Sequence, residues 1–370
     1  MTIASISGGR PRAEWADVAK GVCIVLVVLW HVIMKHYLPI DWHLSLPLPG
    51  AWGLFGEQLL PLRMPVFFTI SGMFAAAAVH RPWRVVRRSR IAKFFYLYAV
   101  WFAVHTAVLS LVPRFDTLAA HSLSDVLDQL TITPTNLWYL SALAVYFTVA
   151  KLTRRLPVTL VLDAAFALSA VASAGLLAAP GNRGQLYQNL LFFLAGLRLR
   201  PWVEQLAARA TPRLLVSGVT GYAVVMVAIH VLGARTWFGL WPVTSALAVT
   251  VGVLATSLLT RRRGLSSRLA ALGRRTLPIY VMHMPLLALI HLMLWRPFSS
   301  LGAGPQLVLA AFLPAVLTAL LVWLCLLLHR ALMSAGASWL FDLPSRSRPR
   351  PATPTDWSAA PTRELPRFPR

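Results

Sequence analysis

The feature that most constrains this chain is a succession of long apolar segments separated by short polar connections. The first segment covers residues 18–38 and is long enough to cross the hydrocarbon core of a bilayer. Across all 370 residues, 57% are hydrophobic and only 13% are charged. A soluble domain of this size needs more polar surface than that. The sequence therefore predicts an all-α, multi-pass membrane protein, because spanning helices satisfy their own backbone hydrogen bonds.

Ten apolar segments are long enough to be predicted as membrane-spanning helices. With an even number of spans, both termini lie on the same side of the membrane. Most Lys and Arg residues fall in alternate connections, as cytoplasmic loops do, so both termini are predicted to be cytoplasmic. The predicted spans cover approximately residues 18–38, 54–79, 94–112, 136–150, 157–179, 186–199, 214–233, 239–260, 276–295 and 305–329.

The net charge of +23 does not indicate a nucleic-acid partner, because the basic residues form short clusters between apolar spans and no basic face. These clusters fit membrane topology and contact with the lipid bilayer. The basic residues are almost all Arg, which suggests a GC-rich bacterial genome and a location in the bacterial plasma (inner) membrane. Three regions are predicted: a cytoplasmic segment at 1–16, a transmembrane domain at 17–332, and a disordered Pro/Arg-rich tail at 342–370.

Cysteine usage gives no sign of a disulfide framework or of a metal site. Cys23 and Cys325 both lie inside apolar segments, and no Cys-x-x-Cys pair occurs. The first apolar segment is too long for the core of a signal peptide and is not followed by a small-residue cleavage site. It is therefore predicted to be a retained first helix.

Three of the ionisable side chains inside predicted spans, His31, Arg63 and His283, have expected depths that agree. His31 lies about 16 Å along its helix from Lys20, which stands at the inner end. Arg63 is expected to enter from the outer side and His283 from the inner side, so all three converge on the middle-to-outer part of the membrane. Ionisable groups at that depth are costly without a polar cavity or a partner, which makes them candidate functional residues. Glu57 is a candidate partner for Arg63, although its spacing puts it on another helical face.

Other polar positions also have purely structural interpretations. An intramembrane histidine can simply join two helices by a hydrogen bond, and Ser71 with Gly72 can mark close packing of neighbouring helices. Trp138 fits an interfacial aromatic belt. Asp17 and Lys20, three residues apart at a helix end, can form an ordinary surface pair. The sequence leaves these alternatives open.

Four separated stretches carry a resemblance to a known family. They are Asp17-x-x-Lys20-Gly with His31, Arg63-Met-Pro-Val-Phe-Phe-Thr-Ile-Ser71-Gly72, Leu137-Trp138-Tyr139-Leu140 and Ile279-Tyr280-Val-Met-His283. With a weaker fifth, Phe192-Phe-Leu-Ala-Gly196, they cover about residues 14–330. In order and in predicted topology, they resemble the acyltransferase-3 family of integral-membrane acyltransferases.

The resemblance implies transfer of an acyl group, acetyl or another short one, from cytoplasmic acyl-CoA to a hydroxyl of a glycan, lipid or small-molecule acceptor. Acyl-CoA, expected to be acetyl-CoA, is then a co-substrate, and no permanently bound cofactor or metal is expected. His31 would act as the general base, and Arg63 or His283 would stabilise the oxyanion. By the resemblance, Asp17 and Lys20 would shape the donor entrance at the inner side. Ser71, Trp138 and Tyr280 would bind substrate as lining residues of one cavity, together with Arg63 and His283.

One position departs from the family pattern. The family usually has an arginine where this chain has Lys20, and lysine keeps the charge but loses the bidentate fork. A covalent route through Ser71 is an alternative, although no companion base is evident in the sequence. A transporter or flippase of a lipid-linked or anionic small molecule is the alternative function, because intramembrane His and Arg also mark translocation paths. The lack of an internal repeat argues against a transporter.

Overall fold

The computed structural model describes residues 14–112, 115, 120, 122–131, 135–179 and 182–344, and within these residues it contains helices and no β-strand. Residues 1–13, Asp116 and most of the predicted tail, 345–370, lie outside the described residues. The α-helices in the described part are α1 (Glu14–Val32), α2 (Leu48–Gln58), α3 (Leu60–Val79), α4 (Trp83–Val86), α5 (Lys93–Leu109), α6 (Leu123–Thr131), α7 (Trp138–Leu152), α8 (Val158–Ser173), α9 (Arg183–Arg198), α10 (Arg200–Ala208), α11 (Pro212–Val231), α12 (Leu240–Leu259), α13 (Arg263–Gly273), α14 (Thr276–Ser299) and α15 (Ala303–Ser334).

Within the described residues, seven helical segments are long and apolar enough to cross a membrane. They coincide with the first three and the last four predicted spans. Helices α7, α8 and α9 occupy the other three predicted positions but have only 15, 16 and 16 residues. The all-helical class is thus confirmed, whereas the count of ten spans and the cytoplasmic side of the termini stay predictions. The seven segments are Glu14–Tyr37, Leu48–Val79, Trp83–Leu109, Pro212–Val231, Leu240–Leu259, Thr276–Ser299 and Ala303–Ser334.

The second predicted span consists of two helices, α2 and α3, with a break at Leu59. Helix α3 has Pro61 in its first turn, where the missing N–H of proline costs no helical hydrogen bond. The sequence predicts that Pro65 kinks this span or starts its inner part. Pro65 lies inside α3, so the inner part does not start there, and the kink stays a prediction. Its carbonyl accepts a hydrogen bond of 2.8 Å from the hydroxyl of Thr69. The inner helix therefore starts about one turn earlier than predicted, at the proline that fits a first turn.

Helices α3 and α9 cross at a distance that only glycine permits. A Cβ atom at Gly72 would lie 2.0 Å from the carbonyl oxygen of Phe193, and one at Gly196 would lie 1.9 Å from that of Thr69. Small residues allow such close backbone approach between membrane helices. The close-packing interpretation of Gly72 is therefore confirmed.

Helix α1 is the element around which the others pack, since it contacts α3, α12, α13, α14 and α15. After Val32 it continues as a π-helical turn, Ile33–Tyr37, which adds a residue to the turn and rotates the side chains that follow. Wide turns of this kind often occur next to functional sites. The site described below lies where this end of α1 meets α3 and α14.

Candidate active site

Two histidines from distant parts of the chain meet inside the bundle. His31 lies in the last turn of α1 and His283 lies in α14, with ring centroids 5.0 Å apart. The Nε2 atom of His283 is 3.3 Å from the Nδ1 atom of His31. His283 is 1% exposed, whereas His31 is partly exposed to a cavity. The structure thus brings together two of the side chains whose depths agree in the sequence.

Backbone hydrogen bonds assign the protons of both rings. The Nδ1 atom of His31 lies 2.8 Å from the carbonyl oxygen of Val27, and that of His283 lies 3.1 Å from the carbonyl oxygen of Ile279. A carbonyl oxygen can only accept, so both Nδ1 atoms carry the hydrogen. The Nε2 atom of His283 is then an acceptor facing the Nδ1–H group of His31. This leaves the Nε2 lone pair of His31 available to a ligand in the cavity.

Arg63 brings a guanidinium group to the same cavity. Its side chain is 9% exposed and stacks on the indole of Trp30, with Cζ 4.3 Å from the ring centroid. Its Nη1 atom is buried and has no hydrogen-bond partner among the described residues. Glu57, the candidate partner from the sequence, lines a neighbouring pocket and forms no ion pair with Arg63. A buried cation with an unused donor can bind an anion or stabilise a negative charge that develops in a reaction.

We call the space around these residues the histidine cavity; it has a volume of about 360 Å³ and is lined by His31, Arg63 and Tyr280 among others. Its remaining polar surface comes mainly from carboxamides and indoles. Such groups bind hydroxyls by hydrogen bonds and pack against the faces of small polar molecules. These lining residues are Asn136, Asn182, Gln185, Gln188, Trp30, Trp138 and Trp241.

A second space, which we call the lysine cavity, has a volume of about 280 Å³. Its cationic side chains are Lys20, Arg90 and Lys93. Ser71 lies on its wall together with apolar and aromatic side chains, among them Phe67. The lysine cavity therefore combines a cluster of positive charge with an apolar surface.

Tyr280 lines both cavities and marks where they meet. Its hydroxyl donates a hydrogen bond of 2.9 Å to the carbonyl of Asn136 and accepts one of 3.2 Å from the backbone N–H of Tyr139. The Tyr139 hydroxyl in turn lies 3.0 Å from Oγ of Ser71. The two tyrosine rings, with centroids 5.4 Å apart, thus form a partition between the cavities.

The two cavities succeed each other along the same helices. On α1, Lys20 lines the lysine cavity and His31 lines the histidine cavity. On α3, Ser71 lines the lysine cavity and Arg63 lines the histidine cavity. A reaction at the partition could therefore draw one reactant from each cavity. Of the residues predicted from the sequence, Trp138 lies with the histidines, whereas Lys20 and Ser71 lie beyond the partition.

Asp17 holds Lys20 in place at the lysine cavity. Its carboxylate lies 2.9 Å from the lysine Nζ and 3.9 Å from a guanidinium nitrogen of Arg274. Asp17 is only 2% exposed, so this is not the ordinary surface pair that the spacing alone allows. The ammonium group of Lys20 also lies 4.8 Å from the centroid of the Phe74 ring. Asp17 therefore positions a cation rather than lining either cavity.

The sequence interpretation does not place Tyr139 or the carboxamides at the site. Tyr139 stands next to Trp138 in one of the matched stretches, so the motif could have indicated that Tyr139 lies at the site. Gln185 and Gln188 have a weaker signal, because polar residues three apart on an apolar helix share one face. Only the packing of α9 against α3 and α8 shows that this face contributes to the histidine cavity.

Within the described residues, no group of three or more His, Cys, Asp and Glu side chains could hold a metal ion. Cys23 and Cys325 are buried free thiols.

Comparison with known proteins gives the family. The family model described as an acyltransferase domain, acyltransferase 3, matches residues 13–329. A curated relative, the inner membrane protein YcfT of Escherichia coli (strain K12), is 28% identical over 360 residues, which cover 91% of this chain and 97% of the relative. No solved structure matches the chain. The chain is therefore a multi-pass membrane protein that belongs to the acyltransferase-3 family.

Proposed function

We propose that this protein transfers an acyl group, acetyl or another short one, from acyl-CoA to a hydroxyl group of an acceptor. The donor occupies the lysine cavity and the acceptor occupies the histidine cavity, with the thioester at the tyrosine partition. The acceptor is a glycan, a lipid or a small molecule. Membership of an acyltransferase family and the two adjoining cavities support this proposal.

The observation that carries the proposal is the arrangement of protons on the two histidines. Because Val27 and His283 both engage the Nδ1–H group of His31, the Nε2 atom of that ring is an unprotonated base. A general base has to sit within hydrogen-bond reach of the proton that it removes. His31 meets this condition for a hydroxyl bound in the histidine cavity.

The reaction follows from these groups. The acceptor hydroxyl gives its proton to Nε2 of His31 while its oxygen forms a bond with the thioester carbon. The oxyanion of the tetrahedral intermediate is stabilised by the unused donor of Arg63. The C–S bond then breaks, and the CoA thiolate leaves with the proton that His31 has accepted. His283 and Val27 stabilise the transient imidazolium by accepting its Nδ1–H.

The lysine cavity suits the donor because CoA combines several phosphate charges with an extended, partly apolar arm. Lys20, Arg90 and Lys93 supply the cations. In the basic cluster before α5, Arg90 lines the cavity, whereas Arg87 and Arg88 do not line it and are exposed. Lysine binds phosphate as a point charge without fixing its orientation, so Lys20 serves here with less geometric definition than an arginine.

Direct transfer fits the surroundings of Ser71 better than a covalent route. The Ser71 hydroxyl donates a hydrogen bond of 2.8 Å to the carbonyl of Phe67, and its other neighbour is the hydroxyl of Tyr139. A serine nucleophile needs an adjacent base, which a tyrosine hydroxyl does not provide at neutral pH. His31 and His283 are not among the residues that share the lysine cavity with Ser71.

The proposed location is the bacterial inner membrane, with both termini in the cytoplasm. The relative from Escherichia coli is named an inner membrane protein, and cytoplasmic acyl-CoA would reach the lysine cavity from that side. In this orientation the histidine cavity faces the periplasmic half of the membrane.

The test is a balance of donor and product. Purified protein in lipid nanodiscs is incubated with acyl-labelled acetyl-CoA and a bacterial envelope fraction, and both free thiol and labelled ester are measured. Acyl transfer predicts one thiol released for each labelled ester, whereas a transporter or flippase releases no thiol. The His80→Ala variant is the matched control, because His80 is an exposed histidine at the end of α3. We expect wild type and His80→Ala to release one thiol for each labelled ester. We expect His31→Ala to release neither.

A further inference from the structure

The wall of the histidine cavity carries positive charge and, among its lining residues, no acidic side chain. Two of its lining residues, Arg63 and Arg235, are cations, and none of its lining residues is Asp or Glu. Neither arginine forms an ion pair among the described residues. A cation in or near the hydrocarbon region is costly without a counter-charge. That cost applies to Arg63, which is buried, whereas Arg235 is exposed and shares the adjoining pocket with Glu57 without forming an ion pair with it. A negative charge on a bound ligand would therefore meet two guanidinium groups and no acid on the wall of the histidine cavity.

The reaction itself does not supply that charge in the resting complex. A thioester and a hydroxyl are both neutral, and the oxyanion exists only transiently at Arg63. Arg235 belongs to the short turn Ala234–Thr236 between α11 and α12, whereas Arg63 belongs to α3. The guanidinium of Arg235 stacks on Trp241 in the first turn of α12, with Cζ 5.1 Å from the ring centroid.

The segment that carries Arg235 is held firmly enough to present it. Ala234, at the start of a short 3₁₀ turn, is only 1% exposed. Gly233 and Gly239, with φ of 59° and 78°, adopt the left-handed conformation that favours glycine on either side of this turn. Arg235 and Trp241 also line the adjoining pocket of about 190 Å³, so both stand where that pocket meets the histidine cavity.

Asp125, one of the described acids in the connection between α5 and α7, is engaged in capping a helix. Asp125 accepts a hydrogen bond of 3.0 Å from the backbone N–H of Ser122, and the Ser122 hydroxyl accepts one of 3.1 Å from the N–H of Asp125. This reciprocal arrangement caps the start of α6. Neither Asp125 nor Asp128 lines the histidine cavity.

We infer that the acceptor is a hydroxyl-bearing molecule that also carries a carboxylate or a phosphate, and that Arg235, stacked on Trp241, binds this anionic group. The inference rests on the proposed function, whose acceptor it narrows from any hydroxyl compound to an anionic one. Carboxamides at the cavity wall bind the neutral hydroxyls, Arg235 binds the charge, and His31 receives the proton of the hydroxyl that reacts.

The first test is the charge of the natural product. Wild-type protein in nanodiscs is supplied with acyl-labelled acetyl-CoA and an envelope fraction, unreacted donor is removed, and the labelled product is applied to an anion-exchange column. Retention of the label is expected. The phosphorus content of the retained product then separates the two anions, because a phosphate contains phosphorus and a carboxylate does not. A labelled product that elutes with neutral compounds would overturn the inference and leave acyl transfer standing, whereas the absence of any labelled ester would overturn the proposed function itself.

The second test assigns the anion to Arg235. With the envelope fraction as the source of acceptor, the Arg235→Gln variant is expected to need about tenfold more of that fraction for half-maximal rate, which is its acceptor KM. The KM for acetyl-CoA should be unchanged and kcat should change much less. Arg235→Lys should restore part of the affinity, because it restores charge. Arg296→Gln is the matched control, since Arg296 also stacks on an indole, that of Trp295, but does not line the cavity. An equal effect of Arg296→Gln, or an unchanged acceptor KM in Arg235→Gln, contradicts the assignment.

Discussion

Two pairs of histidines join the first helix to α14, and they differ in what their nitrogen atoms can do. In the pair His31–His283, both Nδ1–H groups are directed to backbone carbonyls and one ring borders the histidine cavity. In the pair His36–His291, the two Nδ1 atoms face each other at 3.1 Å, and the pair lines neither cavity. The two histidine pairs therefore differ in their hydrogen-bond partners and in their access to a cavity, although they join the same two elements.

The second pair has the surroundings of a core contact. His36 is fully buried and His291 is 6% exposed. Phe298 packs against His36, and Phe115 and Trp295 pack against His291. The Nε2 atom of His36 has no hydrogen-bond partner among the described residues, and His36 lines neither the histidine cavity nor the lysine cavity. Burial without access gives a histidine that joins helices, whereas burial beside a cavity gives one that can exchange a proton.

The largest expected effect separates the two pairs directly. His31→Ala should lower kcat for acyl transfer by about 10²–10⁴-fold, because the general base is lost. His36→Ala should keep most of the activity but lower the free energy of unfolding by about 1–3 kcal/mol, because it leaves His291 without its partner. Thiol release in nanodiscs and thermal unfolding in detergent measure the two quantities. A catalytic loss in His36→Ala as large as that in His31→Ala would erase the distinction.

The next effect concerns the cation beside the first pair. Arg63→Gln should lower kcat by about 10²–10³-fold, since it removes a donor aimed at the oxyanion. Arg63→Lys should recover only part of the rate, because an ammonium does not reproduce the flat guanidinium stacked on Trp30. Steady-state kinetics with acetyl-CoA measure both variants. Full activity of Arg63→Gln would show that the oxyanion is stabilised elsewhere.

A smaller effect tests the positioning role of His283 against its counterpart His291. His283→Ala should lower kcat about tenfold with little change in either KM, because Val27 alone then holds the Nδ1–H group of His31. His283→Gln should restore part of the rate, since its side-chain oxygen can again accept that hydrogen. His291→Ala is the matched control and should change stability rather than kcat. Equal kcat values for His283→Ala and wild type would remove His283 from the mechanism.

The smallest effects lie in the lysine cavity and should leave both pairs undisturbed. Lys20→Arg should lower the KM for acetyl-CoA a few-fold, because a guanidinium adds bidentate contact with phosphate. kcat should stay within about twofold. Isothermal titration of the donor into the nanodisc-bound protein measures the change, and weaker donor binding by this variant would show that the cavity is built for lysine.

A further prediction for the lysine cavity concerns the ion pair of Lys93, which depends on pH. Lys93 pairs with Asp342 at 2.8 Å. Partial burial raises the pKa of Asp342, but the hydrogen bond and charge of Lys93 more than offset this and lower the pKa below its ordinary value. The pair should therefore be complete above about pH 4 and be lost as the pH falls through the lowered pKa. Asp342→Asn should free Lys93 and lower the donor KM about twofold at neutral pH, with a change in stability below about 1 kcal/mol.

The sequence predicts the helices well, because long apolar runs can satisfy their backbone only as helices in a membrane. Depth along the helix also follows from sequence, which is why His31, Arg63 and His283 are expected at one level. Rotation about each helix axis does not follow from it. The prediction therefore offers Glu57 as a partner for Arg63, whereas the structure stacks Arg63 on Trp30.

The division of the site into two cavities could not be predicted from the sequence. The matched stretches place Ser71, Trp138 and Tyr280 at one cavity, but the side chains are divided by a partition of Tyr139 and Tyr280. That partition depends on a contact between α7 and α14, which are distant in the chain. Helix spacing and hydropathy carry no information on such a contact, so it emerges only from packing.

Chemical rescue of His31→Gly tests most directly whether the Nε2 atom of His31 is the base. Glycine removes the imidazole and leaves space in a cavity of about 360 Å³ that small solutes can enter. The measurement is single-turnover release of CoA thiol from acetyl-CoA by protein in nanodiscs, with a bacterial envelope fraction as the source of acceptor, and with and without added imidazole. If His31 is the base, imidazole should restore thiol release to His31→Gly and should have no such effect on Arg63→Gln. Release by His31→Gly at the wild-type rate without imidazole would contradict it.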